Sequence, residues 1–389
     1  MKYTSLSYIA ALTLLVGCTG NKGADHQTGE LITIDVTADY PEKELILQDF
    51  MDVEYIPLDN SDEYITQGVV KAVGKEHILA KNWKNDGDIF VFDRKTGNGI
   101  RKINRKGGSG EEYTGITDII LDEDKNEMFI VNNTARVIVA YDLMGNYKRK
   151  FQFADSCYYE NVSNYDQDHL IAYKSYPPEK ESKQSAHVCI SKKDGSVARE
   201  LTIETTKTVS PVFIKGDLTV MPGFDLIMPA TTGWLLTRCS SDSIYSADSN
   251  GNMYAAIKRT PSIHEMDPEV FLFPILDSDR YLLLQTLLKE VDLTTFKGFP
   301  STFLVYDRDE KNVSKCTVYN SDYVNKQEVN FWWSPINPRS QEIAFCQKLE
   351  ALDLVEAFEK GELKGRLKEI AATLNEDSNP VIMLLKNKS

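Results

Sequence analysis

One pattern recurs five times along this 389-residue chain and limits what it can fold into. An apolar run rich in β-branched and aromatic residues enters a polar turn built from Asp, Gly or Asn, and a second strand-like run follows. The first three copies are Ile89–Asp93 into Gly97-Asn98 and Ile100–Ile103, Val137–Asp142 into Gly145-Asn146 and Tyr147–Phe153, and Val188–Ile190 into Asp194-Gly195 and Val197–Ile203. The last two are Ser243–Tyr245 into Asn250–Asn252 and Met253–Ile257, and Phe303–Asp307 into Asp309-Glu310 and Val313–Val318. β-Branched and aromatic side chains suit a pleated, half-buried surface. Asp, Gly and Asn supply the positive φ of tight hairpins. Phe92, Tyr141 and Ile190 follow one another at intervals of 49 residues, and later copies stretch to 55 and 61.

A period of roughly 40–50 residues made of short strands predicts propeller blades. Each unit has room for four strands, and the second copy shows its earlier pair as Ile116–Leu121 and Glu127–Val131, split by the polar turn Asp122–Asn126. A solenoid or a sandwich is the competing all-β architecture, and the regular period argues against the sandwich. A sixth unit has to be assembled from the two ends. Val53–Leu58 has no blade before it and Val381–Leu385 has no partner after it, so their pairing would close the ring and remove two exposed sheet edges. Pro57 suits an outer edge strand, where no N–H is needed. The expectation is an all-β, six-bladed β-propeller over residues 41–389. One segment departs from it. Residues 349–374 carry Leu352, Val355 and Phe358, then Leu363, Leu367 and Ile370, at helical spacing. Gly361 would split them into two short helices inserted between the middle strands of the last blade.

The N-terminus has the form of an export signal. Lys2 precedes an apolar stretch from Leu6 to Val16, too short to span a bilayer as a helix. It ends in Leu15-Val16-Gly17-Cys18, which resembles a bacterial lipobox. Residues 1–17 are therefore expected to be removed, Cys18 to carry lipid, and residues 18–40 to form a flexible polar tether. The membrane would be a partner through that lipid anchor, placing the protein in the cell envelope, at the outer membrane.

The chain resembles the six-bladed β-propeller lipoproteins of the Bacteroidota, which look like NHL-repeat propellers. The features that carry the resemblance are Cys18 in its lipobox, the Tyr55-Ile56-Pro57-Leu58 strand, Phe92-Asp93 followed by Ile100–Ile103, the Lys106–Tyr113 loop and the terminal Asp377–Leu384. They span nearly the whole mature chain. The family's glycine-rich loop usually has a proline before Gly-Glu-Tyr; here Ser109-Gly110-Glu111-Glu112-Tyr113 lacks it and has one extra Glu. The resemblance implies fold and location, and no settled activity.

Composition removes some functions. A net charge of −14 rules out nucleic acid held by general electrostatics. Cys157, Cys189, Cys239, Cys316 and Cys346 have no CxxC spacing, so zinc and thioredoxin-type readings fail, and most should be buried thiols. His26, His77, His169, His187 and His264 are not paired at metal-ligand spacing. No GxSxG or HExxH motif occurs. No catalytic residue, metal or cofactor is expected.

Two groups of residues are candidates for ligand contact. Gly107, Gly108 and Gly110, with Tyr113, form a loop whose backbone N–H groups could hold an anion, against the plainer reading of a tight turn between blades. Trp83, Trp332 and Trp333 could stack on a sugar face, against the plainer reading of packing between blades. The functional expectation is a membrane-anchored binding or scaffolding module for a glycan, peptide or partner protein. The alternative is a propeller hydrolase or lyase with its site at the axial channel.

Overall fold

The computed structural model describes residues 30–154, 157–176, 186–294, 298–331 and 342–388. Each repeat is one antiparallel sheet, and the sheets follow one another in chain order. Blade 1 consists of Val69–Val73, His77–Lys81, Asp88–Asp93 and Gly99–Asn104. Blade 2 consists of Asp118–Asp122, Glu127–Asn132, Val137–Asp142 and Tyr147–Gln152. Blade 3 consists of Tyr158–Asn164, His169–Ser175, Ala186–Ser191 and Val197–Leu201. Blade 4 begins with Ile227–Ala230 and ends with Met253–Thr260, and blade 5 runs from Val270–Asp277 to Asn312–Asn320. All five expected repeats are the third and fourth strands of their blades.

The sixth blade closes the ring as expected. Met51–Pro57 pairs antiparallel with Val381–Asn387, with Val53 opposite Leu385 and Pro57 opposite Val381. Phe345–Leu349 pairs on the other side of Val381–Asn387, so this sheet has three strands among the described residues.

Two features of the repeat explain its sequence. The pairing of third and fourth strands shifts register at the same place in four blades, beside Phe92, Tyr141, Ile190 and Tyr245. Such bulges sharpen the local twist. The turn that follows carries a glycine at positive φ: Gly97, Gly145, Gly195 and Gly251. Each also lies hard against the outer strand of the preceding blade. A Cβ there would overlap the Pro57 carbonyl, Ile103, Phe151 and Arg199 respectively. The glycine therefore serves both the hairpin and the seam between blades. The aspartate that opens the turn caps it. Asp93 Oδ1 accepts from the N–H groups of Lys95 (3.1 Å) and Thr96 (2.8 Å), and Asp142 Oδ1 accepts from those of Met144 and Asn146, both at 2.9 Å. The Thr96 hydroxyl and N–H hold the Asp93 carboxyl below the usual carboxylate range.

The core lies in the gaps between sheets. Ile120 and Phe129 of blade 2, for example, pack with Tyr159 and Leu170 of blade 3. Ion pairs add cross-links. Arg94 makes a bidentate contact with Glu54 at 2.5 and 2.8 Å, joining blade 1 to the closing strand.

The N-terminal boundary differs from expectation. Within the expected tether of residues 18–40, Ile32–Asp35 instead forms a fifth, parallel strand on Met253–Thr260 of blade 4. Glu42–Ile46 does the same on Asn312–Asn320 of blade 5. Ile34 is completely buried. These strands cover the outer edges of two blades, edges that would otherwise be open for pairing. Residues 1–29, with Cys18, the expected cleavage site and most of the tether, lie outside the described residues.

The insertion contains the helices Ala351–Glu359 and Gly365–Ala371, between the strands Phe345–Leu349 and Val381–Asn387 of the last blade. Gly361 separates them at φ 71°. The second helix buries Leu367 and Ile370 as its spacing predicts. The first helix is rotated from the predicted phase. It buries Ala351, Leu354 and Ala357, and leaves Leu352 exposed. Two of the three residues it buries are small alanines, which a spacing count restricted to large apolar residues overlooks. Among the described residues Cys157, Cys189, Cys239, Cys316 and Cys346 form no disulfide, and all but Cys239 are buried.

Candidate functional site

The first strand of each blade lies nearest the axis. In blades 1 and 2 these strands are largely apolar, because both of their faces are covered, whereas the first strand of blade 3 is mixed. The polar residues at the inner edge are Lys71 within Val69–Val73, Asp118 and Asp122 at the two ends of Asp118–Asp122, and Ser163-Asn164 at the end of Tyr158–Asn164. Together with Trp234 of blade 4 and Glu342 they line an axial cavity of about 350 Å³.

Local irregularities turn these side chains inward. The pairing of Val69–Val73 with the next strand shifts between Val70 and Ala72, so Lys71 is the extra residue of a bulge. Its Nζ lies 3.5 Å from Asp118 Oδ1 of blade 2. Opposite Val69 in the next strand, Lys81 is 8 % exposed, and its ammonium group donates to the Asn82 carbonyl. Burial, with the Lys71 charge as the next contribution, pushes the Lys81 pKa down. In blade 3 the register shifts between Glu160 and Ser163, with Asn161 at φ 50°.

Asn164 Nδ2 donates to the Leu121 carbonyl at 3.3 Å. Its Oδ1, and the Oγ of Ser163, are buried and have no hydrogen-bond partner among the described residues. Tyr165 donates its hydroxyl to the Asp248 carbonyl at 2.6 Å, and its ring lies 6.0 Å from that of Trp234. Burial pushes the Tyr165 pKa up to about 12.

Two of the cavity's carboxylates are already committed. Glu123 of blade 2 sits in the first turn of blade 1. It accepts from the N–H groups of Lys75 (2.6 Å), Glu76 (3.0 Å) and His77 (2.9 Å). A Cβ at Gly74 would overlap the Glu123 carboxylate and displace it from these N–H groups. Asp122 is held from behind by Lys192 of blade 3 at 2.6 Å.

The residues expected from sequence lie elsewhere. Tyr113 is completely buried, donates its hydroxyl to the Gly87 carbonyl at 2.6 Å and accepts from Arg105 N–H at 3.0 Å. Burial pushes its pKa up to about 12. The glycine loop is an inter-blade turn: Gly107 N–H donates to the Tyr113 carbonyl at 3.0 Å, and Ser109 N–H to Glu112 Oε2 at 2.8 Å. The anion this loop holds is thus its own Glu112, whose carboxyl Ser109 N–H keeps below its usual pKa. A Cβ on Gly107 would overlap that carboxylate, whereas Gly108 and Gly110 face open space. Trp83 is half exposed in the turn after His77–Lys81, and it is not part of the cavity wall. Trp332 and Trp333 lie outside the described residues. The helical insertion lines a separate cavity of about 340 Å³ against blades 5 and 6, through residues such as Asp353 and Glu356. Among the described residues, no group of three or more His, Cys, Asp or Glu is placed to hold a metal ion.

The family model for DUF5128, described as a 6-bladed beta-propeller, matches residues 22–338. The chain belongs to this family. Among solved structures, this DUF5128 chain is similar to a Bacteroides fragilis protein described as exported, at TM-score 0.61 and 13% identity over 92% of this chain and 100% of that one. It is also similar to a member of the duf4221 family from Bacteroides vulgatus, at TM-score 0.45 and 10% identity over 87% and 97% of the two chains. Virginiamycin B lyase from Staphylococcus aureus follows at TM-score 0.40 and 9% identity, over 87% and 100%. At these identities the likeness concerns the fold. No curated protein matches this DUF5128 chain in sequence.

The axial residues could have been found from sequence by one signal: polar residues interrupting otherwise apolar inner strands. Lys71 between Val70 and Ala72 is the clearest case.

Proposed function

We propose that this DUF5128 propeller is an exported binding module, held at the cell envelope by lipid on Cys18, that captures a small solute in its axial cavity. The observation that carries the reading is the cavity of about 350 Å³, walled by the inner strands of three successive blades and carrying polar groups without partners. Cavities of some 300–1,000 Å³ are the usual size for small-molecule sites. The volume suits a small solute or one sugar unit rather than a folded partner. Among the described residues no helix is long and apolar enough to cross a membrane.

The binding test is a thermal-shift screen of the whole chain against a panel of sugars, amino acids, polyamines and short peptides. At least one solute class should raise Tm, and the shift should vanish in a Lys71→Trp variant, whose indole fills the cavity. A flat screen, or a shift unchanged in Lys71→Trp, overturns the axial site. The anchoring test is metabolic labelling with palmitate in the native host: label should enter the wild type and be absent from Cys18→Ser. Protease shaving of intact cells then separates surface from periplasmic display.

A further inference from the structure

The seams between blades are not all closed in the same way. Gly97, Gly145, Gly195 and Gly251 press their turns against Pro57, Ile103, Phe151 and Arg199 of the preceding outer strand. That closes the seams from blade 6 to 1, 1 to 2, 2 to 3 and 3 to 4. The corresponding turn of blade 5, Arg308–Lys311, has no glycine, and Lys311 takes the positive φ, at 51°. Blade 6 has no such turn, because its last two strands, Val381–Asn387 and Met51–Pro57, come from opposite ends of the chain. The seams from blade 4 to 5 and from 5 to 6 therefore lack a glycine turn.

The N-terminal strands fill these two seams. Ile34 lies opposite Arg259 in the parallel pairing on blade 4, and its buried side chain joins the apolar cluster between blades 4 and 5, with Ile257, Leu282 and Leu304. Leu45 lies opposite Val318 in the pairing on blade 5 and joins the cluster between blades 5 and 6, with Val305 and Met383. Ion pairs hold the outside of the segment, Lys43 to Asp307 at 2.9 Å and Lys315 to Asp39 at 2.6 Å. A glycine turn is tied at both ends into the strands of its own blade. Ile32–Asp35 is a four-residue strand paired along one edge, with Leu31 before it exposed. Elements with few buried contacts open locally at a lower free energy than the core.

We infer that residues 32–46 are a latch. Seated, they seal the two seams that have no glycine turn. Unseated, they open the ring at blades 4 to 6 while blades 1 and 2 stay closed.

The test is hydrogen–deuterium exchange of the whole chain, read peptide by peptide. Ile34→Asp should raise exchange at least tenfold in Ile32–Asp35 and in Met253–Thr260, the strand it covers, with blades 1 and 2 unchanged. The paired variant Thr33→Cys, Lys258→Cys guards against a folding defect in the first. These two residues are exposed partners in the parallel register. Paired strands lie about 4.8 Å apart, within the Cα range of a disulfide. Once oxidised, this variant should slow exchange in the same two segments at least fivefold, and reduction should restore the wild-type rate. Exchange that rises equally in all blades of Ile34→Asp overturns the latch, because the ring then opens as one unit. A cross-link that leaves exchange in Met253–Thr260 unchanged overturns it too, whether or not Ile34→Asp folds.

Discussion

Lys192 Nζ lies 2.6 Å from Asp122 Oδ2, and the two side chains are only 2% and 5% exposed. The lysine also donates to the Asp166 carbonyl at 2.7 Å, so one ammonium group joins the turn of blade 3 to the inner strand of blade 2. Burial pushes the Lys192 pKa down despite the carboxylate beside it. Replacing one member of such a pair leaves a buried charge uncompensated, at a cost of about 3–5 kcal/mol. Lys192→Met should lower the urea midpoint accordingly. The double variant Lys192→Met, Asp122→Leu should recover most of the loss, because no charge is then stranded. A double variant as unstable as the single would show that the lysine acts through packing alone.

The seam glycines separate backbone strain from contact. Gly195 has φ 76° and lies against the Phe151 ring, whereas Gly216 has φ 59° with open space where a Cβ would project. Gly216→Ala should therefore cost only the strain of the left-handed backbone, about 1–2 kcal/mol. Gly195→Ala should cost that and a further ~1–3 kcal/mol of overpacking. Equal losses by thermal denaturation would rule out the seam role.

The N-terminal strand is predicted to be part of the fold. Ile34 has no exposed surface and packs with Ile257 and Leu282 of blades 4 and 5. Ile34→Ala should destabilise by about 2–5 kcal/mol. A free tether at this position would tolerate the change without a shift in midpoint.

His187 gives a pH signature. It is buried, its Nε2 lies 3.1 Å from the Leu226 carbonyl oxygen, and burial holds its pKa down at about 4 against an ordinary 6.5. The unfolded chain binds the proton more readily, so the contribution is fully present above pH ~6.5 and is lost as pH falls toward ~4. The fall should amount to about 3 kcal/mol at one unit per ~1.4 kcal/mol. Measuring stability between pH 7 and 4 in the wild type and in His187→Gln should show the slope flattened in the variant.

The repeat was legible because its causes are local. Positive φ at Gly97, Gly145, Gly195 and Gly251, strand-forming runs on either side and a capping aspartate all act within a few residues. A period of such units leaves little besides a ring of blades. Closure by Val53–Leu58 on Val381–Leu385 could be deduced because each was a strand with no other partner. The glycine loop and Tyr113 are a different case. Their composition is that of an anion cradle, but the partners that occupy them, Glu112 and the Gly87 carbonyl, become visible only in three dimensions.

By itself, the sequence determined the number of blades, the position of their hairpins, the closing strand and the helical insertion, since each depends on neighbouring residues or on a strand left without a mate. Tertiary structure alone decided where the N-terminal strands dock, which face the first inserted helix buries, and which side chains meet at the axis. Ile34 packs with Ile257 across more than two hundred residues, and Lys71, Asp118, Ser163 and Asn164 line one cavity only because three inner strands are brought around one centre. No local pattern encodes such meetings. They follow from ring closure, which places every inner strand beside the same cavity.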